Sequence, residues 1–238
     1  MIVVTAIEKN YGLKHVLKGI NFEVKKGEIY VLLGKNGAGK STLFKILSGL
    51  THPTTGCVTL FQHPLSDLTK QKIGVSINQP VFYEHLSATE NLSIHCDYMS
   101  YPLTKERLTT VLDLVGLQLE NETPVKNYSL GMRQRLVIAR CLIHEPELLI
   151  IDEPLNGLDP KGIRQIRELI QTIAASGITI LMSSHILSEV QAVATKIGVI
   201  YNGQLVFEGF KSDLVTHYGT KLEDFLINKM EGELNETY

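Results

Sequence analysis

The most constraining feature of the chain is the stretch of residues 34–42, which reads Gly-Lys-Asn-Gly-Ala-Gly-Lys-Ser-Thr. It fits the pattern G-x-x-x-x-G-K-[ST], which is typical of a loop that binds phosphate groups. Residues 29–33 are apolar and predict a buried strand, and apolar residues at helical spacing after the loop predict a helix. Because the motif works between a strand and a helix, this context disfavours a chance glycine-rich turn.

Each residue type in the loop suits one part of phosphate binding. The glycines permit backbone angles and a close approach that a Cβ atom would prevent, so successive amides can face a phosphate at the helix N-terminus. Lys40 is expected to reach the β- and γ-phosphates, and the Ser41 hydroxyl is expected to ligate Mg²⁺. The candidate nucleotide-binding residues of the loop are Gly34, Asn36, Gly37, Gly39, Lys40, Ser41 and Thr42.

Bulk properties limit the classes of protein to consider. A chain of 238 residues with 44% hydrophobic residues can bury a proper core. Its net charge of −2 lacks the basic excess of a dedicated nucleic-acid binder, so no nucleic-acid partner is expected. The cysteines, Cys57, Cys96 and Cys141, lack metal-ligand spacing and are expected to be reduced, structural residues. No stretch approaches the ~18 apolar residues that span a bilayer, so we expect any membrane role to depend on a partner.

Short apolar strands alternate with helical patterns, which predicts an α/β fold with a largely parallel sheet. The predicted strands are residues 3–8, 22–24, 28–33, 57–61, 72–77, 148–151, 178–182, 198–201 and 205–208. Asn202-Gly203 predicts a tight hairpin turn between the last two strands. Residues 87–145 are predicted to be helical. In the tail from residue 211, Leu222, Phe225, Leu226 and Met230 share one helical face; packing on the core is the favoured interpretation, and docking to another subunit is the alternative.

A second group of polar residues follows two further strands. Residues 148–151 form an apolar run that ends at Asp152 and Glu153. Open α/β sheets bind ligands at the C-terminal ends of their strands, so Asp152 is expected to hold Mg²⁺ or its water. Glu153 faces a different direction and is a candidate base for the attacking water. His185 follows another predicted strand at the same edge and is a candidate partner of the γ-phosphate.

At this point the chain resembles the ATP-binding subunit of a bacterial ABC transporter, over about residues 3–208. Tyr11 matches the aromatic residue that stacks on adenine in that family, and Gln79 matches the glutamine that senses Mg²⁺ and nucleotide. Residues 128–135 match the signature region, residues 156–159 match the D-loop, and His185 matches the switch histidine. The resemblance implies a P-loop NTPase (RecA-like) core, a helical signature subdomain and an antiparallel β-rich N-terminal part.

The same resemblance implies the organisation of the chain and its partners. We expect one ATPase domain over residues 1–238, with a nucleotide-binding core (1–86 and 146–210), a helical subdomain (87–145) and a C-terminal helix and tail (211–238). In this family two such subunits pack head to tail, and each ATP lies between the phosphate loop of one and the signature of the other. A homodimer or a related heterodimer would satisfy this arrangement. A separate transmembrane permease would hold the subunit on the inner, cytoplasmic face of the membrane.

The signature departs from the family's commonest form, Leu-Ser-Gly-Gly-Gln. Tyr128, Leu130 and Met132 replace three of its residues, whereas Ser129 and Gly131 are retained as candidate nucleotide-binding residues. A hydroxyl and a backbone amide at a helix N-terminus suffice to meet a γ-phosphate. Such versions resemble those of exporters for peptide antibiotics, lantibiotics and hydrophobic drugs.

Other classes explain less of the sequence. A soluble ABC-type ATPase acting on nucleic acid or ribosomes usually has two fused cassettes or a long coiled-coil insertion, which this chain lacks. A phosphate-loop kinase or GTPase would leave the signature, the D-loop and His185 unexplained. A non-hydrolysing regulatory subunit is disfavoured by the retained Glu153 and His185. We further expect the region after Gln79, with Val81, Phe82, Tyr83 and His85, to pass movement to the permease. Its aromatics are candidate interface anchors, and simple packing in the core is an equally favoured alternative.

Overall fold

The computed structural model describes residues 1–78, 81–118 and 122–233. Two sheets organise these residues, and their strands are β1 (Ile2–Tyr11), β2 (Lys14–Val24), β3 (Ile29–Leu33), β4 (Thr55–Leu60), β5 (His63–Pro64), β6 (Ile73–Ser76), β7 (Leu148–Ile151), β8 (Thr179–Ser184), β9 (Lys196–Tyr201) and β10 (Gln204–Phe210). The smaller sheet has the order β2-β1-β4-β5 and is antiparallel. The larger sheet has the order β10-β9-β3-β8-β7-β6 and is parallel except for β10, which forms the hairpin with β9.

The helices surround the larger sheet and are α1 (Lys40–Leu47), α2 (Asp67–Lys70), α3 (Ala88–Tyr98), α4 (Lys105–Leu114), α5 (Leu130–Leu142), α6 (Pro160–Ala175), α7 (Leu187–Val193), α8 (Lys211–Tyr218) and α9 (Leu222–Glu231). Local sequence explains where several of them begin. Ser87 and Glu90 form a capping box at α3, Ser129 caps α5, and Asp159 caps α6 just before a proline at its first position. Such side-chain oxygens bind amides that the helix leaves without partners.

The parallel sheet separates two apolar clusters, which explains why its strands are apolar on both faces. Along β3, Val31 and Leu33 belong to the cluster that the helices α3–α6 cover, whereas Tyr30 and Leu32 belong to the cluster shared with α1 and the smaller sheet. All residues of β3 are buried. Strands buried on both faces read as continuous apolar runs, so the run before the phosphate loop lies in the middle of the molecule.

The fold confirms the α/β P-loop class with a helical segment and an antiparallel N-terminal sheet. Strand β2 begins at Lys14, earlier than the predicted 22–24, and β5 and α2 were not predicted. The hairpin is confirmed, since Asn202 and Gly203 both have positive φ, of 46° and 79°. The proposed boundaries between core, helical subdomain and tail stay predictions.

The tail packs on the core, as favoured. Leu222, Leu226 and Met230 are buried, and Phe225 stacks on Tyr218 with ring centroids 4.0 Å apart.

Two of the predicted structural cysteines, Cys96 and Cys141, are buried, but the prediction is wrong for Cys57, which is exposed on the small sheet. Among the described residues, none of the helices has both the length and the apolar composition that crossing a bilayer demands.

Candidate functional site

The phosphate loop joins β3 to α1 in a conformation that two of its glycines make accessible. Gly37 and Gly39 have φ values of 82° and 115°, which residues with a Cβ rarely adopt. Gly39 also occupies the position before α1 and has no side chain to cap it, so the first amides of that helix face the loop. Amides and helix dipole together favour an anion there.

Gly34 serves one of the two purposes expected of the loop glycines. Its φ is not positive, and a Cβ atom at this position would lie 2.6 Å from the backbone oxygen of Ile200 in β9. The glycine therefore lets the end of β3 pack against β9. The predicted close approach that a Cβ would prevent is confirmed at Gly34, whereas the predicted unusual backbone angle is not. The Gly34 carbonyl oxygen also takes part in the loop, because it accepts a hydrogen bond of 2.7 Å from Lys40 Nζ.

Lys40 is anchored inside the loop. Its side chain is only 5% exposed, and Nζ donates to the carbonyl oxygens of Gly34 and, at 3.3 Å, of Lys35. The same ammonium group lies 3.3 Å from Oε1 of Glu153. These contacts hold a positive charge at the mouth of the helix N-terminus, where a phosphate chain would be neutralised.

The carboxylates after β7 are held by a residue that the sequence did not single out. The Ser183 hydroxyl, on β8, donates to Oδ1 of Asp152 and accepts a hydrogen bond of 2.9 Å from the amide of Glu153. The Asp152 amide donates to the carbonyl oxygen of Ser76 on β6 at 2.8 Å. Asp152 is thereby fixed between its two neighbouring strands. The contact depends on the pairing of β8 with β7, so no local signal in the sequence identifies Ser183.

Glu153 lies between two candidate partners. Its Oε1 faces Lys40, and its Oε2 lies 3.1 Å from Nδ1 of His185. Its backbone has a φ of 48°, which is uncommon for a residue with a side chain. Strained conformations of this kind persist where the surrounding structure over-determines them, frequently at functional sites. The strand order places β7 and β3 on either side of β8, so Lys40, Glu153 and His185 come from adjacent strand ends.

A cavity of about 360 Å³ opens beside these residues. It is lined by the predicted Asn36, Ser41, Asp152 and Glu153, by Leu130, Arg133 and Gln134 of the signature region, by Asn156 of the D-loop, and by residues that were not predicted for the site, Ser76, Asn78, Phe82 and Val137. Ser41 and Asp152 supply a hydroxyl and a carboxylate, hard oxygen donors that suit Mg²⁺ shared with phosphate oxygens. In the parts of the chain that the structure describes, there is no cluster of three or more His, Cys, Asp or Glu side chains for a metal ion.

Tyr11 lines a second hollow on the other side of the loop. This hollow of about 330 Å³ is also lined by Lys14, Val16, Asn36, Gly37, Gly39, Lys40, Ser41, Thr42 and Glu153. The Tyr11 side chain is 50% exposed, and the ammonium of Lys9 lies 4.9 Å from its ring centroid. An exposed aromatic face next to the phosphate loop can stack on a nucleobase. The structure thus brings Tyr11 to the same site as the loop residues.

The signature residues Ser129 and Gly131 line a different hollow, although Leu130 between them also borders the 360 Å³ cavity. Ser129 accepts a hydrogen bond of 3.2 Å from the amide of Met132 at the start of α5. With Gly157, Asp159 and their neighbours in the D-loop region, they line a separate hollow of about 500 Å³. Among the described residues, the linings of the two phosphate-loop hollows do not include Ser129 or Gly131. Gln79, the remaining predicted site residue, lies outside the described residues.

Comparisons with known proteins agree with this arrangement. The family model described as ABC transporter matches residues 17–156. The lantibiotic transport ATP-binding protein SrtF of Streptococcus pyogenes is 43% identical over 208 residues, which cover 87% of this chain and 90% of that protein. The bacitracin transport ATP-binding protein BcrA of Bacillus licheniformis is 44% identical over 212 residues, which cover 87% of this chain and 69% of that protein.

Solved structures give the same result. The ATP-binding subunit of an ABC transporter superposes with a TM-score of 0.81 at 30% identity, covering 98% of this chain and 99% of that one. A dimeric ATP-binding cassette in a post-hydrolysis state, bound to ADP and Pi, gives a TM-score of 0.79 at 25% identity, covering 89% and 99% of the two chains. Fold, loop geometry and sequence similarity agree, and the chain belongs to the ABC transporter family as one of its ATP-binding cassette ATPases.

Proposed function

We propose that this ATPase hydrolyses Mg·ATP to power a membrane permease that exports a peptide antibiotic or another hydrophobic compound. The choice of substrate class is supported by the similarity to proteins named for lantibiotic and bacitracin transport. The Ser-Leu-Gly-Met signature around Ser129, which resembles that of such exporters, agrees with this choice. A soluble ATPase without a membrane subunit is not favoured by these relatives.

In the proposed reaction, the loop amides and Lys40 neutralise the β- and γ-phosphates, and Tyr11 stacks on the adenine. Mg²⁺, held by Ser41 and Asp152 and in the proposal also by Gln79, would supply positive charge on the transferred phosphoryl group. Glu153 takes a proton from the attacking water, and His185 donates to the γ-phosphate. The support is geometric: Glu153 is placed between Lys40 and His185 at 3.3 and 3.1 Å.

The observation that carries the two-chain mechanism is that Ser129 and Gly131 line a hollow with the D-loop region, which among the described residues shares Leu130 alone with the 360 Å³ cavity beside Ser41. A second copy, or a related subunit, placed head to tail would bring its signature to the γ-phosphate. The dimeric cassette among the structural neighbours supports this assembly. Hydrolysis then removes the group that joins the two chains, so the ligand has different affinities for closed and open states, as a switch requires.

The surface proposed for the permease differs in one respect from the expectation. Val81 and Tyr83 are exposed, Val81 by 90%, but Phe82 is buried, so the alternative of simple packing in the core is confirmed for Phe82. Its ring packs in the core, and the guanidinium of Arg140 lies 5.1 Å from its centroid. Tyr98, also exposed, lies on the same groove as Val81 and Tyr83. Exposed aromatic and aliphatic side chains around a groove are suitable anchors for a protein partner.

A direct connection runs from this surface to the signature helix. Glu84 accepts two hydrogen bonds from the guanidinium of Arg133, of 2.6 and 2.5 Å, and Arg133 lies in the first turn of α5. Bidentate pairs of this type fix geometry as well as contributing energy. In the proposal, movement of the signature helix would therefore reach the segment that contacts the permease, on the inner face of the membrane.

Purification from the native membrane tests the proposal. We expect the tagged chain to retain an integral membrane protein during purification. The variant with both Val81→Asp and Tyr83→Asp should lose this membrane protein more readily. Proteoliposomes that contain both proteins should accumulate a lantibiotic or bacitracin only with ATP, and Glu153→Gln should abolish this uptake. Recovery of the active ATPase from membrane-free extract alone, with no retained membrane protein, would contradict it.

A further inference from the structure

The turn that carries His185 is closed by one hydroxyl group. Ser184, the last residue of β8, receives a hydrogen bond of 3.0 Å on its Oγ from the amide of Ile186. His185 is therefore the residue enclosed by this short loop of side chain and backbone. The carbonyl oxygen of Ser184 accepts a hydrogen bond of 3.2 Å from the amide of Gly34, so the turn is tied to the start of the phosphate loop as well.

Glu189 holds the same hydroxyl from the other side. This residue of α7 is only 4% exposed, and its Oε2 lies 3.2 Å from Ser184 Oγ, which can donate to it. Ser184 itself is buried, so water does not compete for this contact. The carbonyl oxygen of Ile186, at 3.3 Å, is the other acceptor within reach of this hydroxyl, and the Glu189 carboxyl is the nearer of the two. The hydroxyl therefore accepts from the Ile186 amide and donates toward Glu189. These contacts hold the backbone on both sides of His185, from which its side chain extends to Glu153.

A buried carboxyl group at this place is costly. Burial raises the pKa of Glu189, while the hydrogen bond from Ser184 and the nearby His185 act in the opposite direction. Its Oε1 has no hydrogen-bond partner within the described parts of the chain. Burying a polar group without a full set of partners costs free energy that an apolar side chain would avoid. A residue that only filled space in α7 would not need to be an acid.

We infer that Glu189 is a positioning residue for hydrolysis, which acts through the Ser184 hydroxyl to hold His185 at its distance from Glu153 and the phosphate loop. This inference rests on the role proposed above for His185. Glu189 does not itself line the nucleotide hollows among the described residues. Its removal should therefore change the chemical step and leave nucleotide binding intact.

The test compares two substitutions with different hydrogen-bonding ability. Glu189→Gln keeps an oxygen that can accept from Ser184, whereas Glu189→Ala removes it. A misplaced catalytic group can cost up to about 100-fold in rate, and we expect kcat to fall about tenfold in Glu189→Ala, within that limit, and less than about twofold in Glu189→Gln. KM for ATP should stay constant in both. Glu168→Ala, an exposed acid on α6, is the matched control and should retain full turnover.

A double-mutant comparison distinguishes positioning from a general loss of stability. In a His185→Ala background, Glu189→Ala should lower kcat no further, because the group that it positions is gone. Ser184→Ala, which is less disruptive to packing, should reproduce the loss and should not add to that of Glu189→Ala. Ser184→Ala also tests the inference if the Glu189→Ala variant does not fold.

The outcomes separate the inference from the proposed function. If His185→Ala itself leaves kcat unchanged, the proposed role of His185 fails. If His185→Ala loses turnover but Glu189→Ala and Ser184→Ala do not, only the inference is overturned. Equal losses in the Ala and Gln variants, or an undiminished effect of Glu189→Ala without His185, would also overturn it.

Discussion

The ammonium group of Lys40 lies 3.3 Å from the carboxylate of Glu153, so the group expected to bind the phosphates and the group expected to activate water touch each other. Lys40 is buried and Glu153 is largely so. A phosphate placed at the loop would share Lys40 with Glu153, which ties nucleotide binding to the position of the base. The two residues come from opposite sides of β8, and only the strand order makes them neighbours.

Lys40→Ala should abolish useful binding of ATP. The substitution removes a charge-assisted contact to the phosphates and leaves Glu153 without its cation. Hydrogen bonds to charged groups contribute about 1.5–3 kcal/mol each, so losing two phosphate contacts should weaken binding by 100-fold or more. Titration calorimetry with Mg·ATP measures the change.

Lys35→Ala is the matched control for that experiment. Lys35 lies in the same loop, but its ammonium is exposed and pairs with Glu231 of α9 at 2.9 Å. Exposed pairs contribute little, so ATP affinity should change less than about threefold. Undiminished affinity in Lys40→Ala would contradict the assignment of the loop.

Glu153→Gln should keep ATP binding and lose most turnover. The amide preserves the shape of the side chain but cannot take a proton from water, and losing a general base costs about 10²- to 10⁴-fold in rate. Because the γ-phosphate then persists, the variant should accumulate as an ATP-bound dimer in gel filtration. A monomer at high protein concentration, with ATP demonstrably bound, would refute the two-chain model.

Two alanine substitutions in the same loop should have different effects on stability. At Gly34 the new Cβ would lie 2.6 Å from the Ile200 carbonyl oxygen, whereas at Gly37 no described atom lies within 4 Å and only the positive φ is unfavourable. Overpacking typically costs about 1–3 kcal/mol, against roughly 1–2 kcal/mol for a left-handed residue. We therefore expect Gly34→Ala to lower the urea midpoint more than Gly37→Ala does. A lower urea midpoint for Gly37→Ala than for Gly34→Ala would show that β9 moves to accommodate the added methyl group at Gly34.

His95 should make the folded state less stable in mild acid. Burial, with Arg140 and His144 nearby, lowers its pKa from 6.5 to about 4. Between these values the unfolded chain binds a proton that the folded chain does not, so stability decreases as pH falls through this window. His95→Gln should reduce the slope of unfolding free energy against pH between 6.5 and 4, as urea titrations can show. An unchanged slope would exclude His95 as a source of acid sensitivity.

Local patterns were sufficient to predict the parts of the site that a single segment builds. The run before Gly34, the loop and the apolar strand before Asp152 all follow from residue order, because buried strands and glycine-dependent loops leave local signals. The amphipathic face around Leu226 predicted the packed C-terminal helix for the same reason.

Features that depend on contacts between distant segments could not be predicted from local sequence patterns. Ser183 contacts Asp152 because β8 pairs with β7, and the burial of Phe82 depends on α5, which lies far along the chain. The purpose of Gly34 depends on β9, whose Ile200 fills the space beside it. Strand order and helix docking decide these contacts, and neither has a local signal in the sequence.

The central claim is that one ATP is held between the phosphate loop of one chain and the signature of another. It is tested most directly by crosslinking in a Glu153→Gln chain with Cys57, Cys96 and Cys141 replaced by alanine. Lys35→Cys and Ser129→Cys are introduced together, and Ser176→Cys on the exposed end of α6 replaces Ser129→Cys in the control.

We expect a short bifunctional maleimide to give a product of twice the chain mass with Lys35→Cys and Ser129→Cys, only when ATP is present, and none in the control. Crosslinks confined to single chains, or dimers that form equally without ATP, would contradict the head-to-tail arrangement and the mechanism that depends on it.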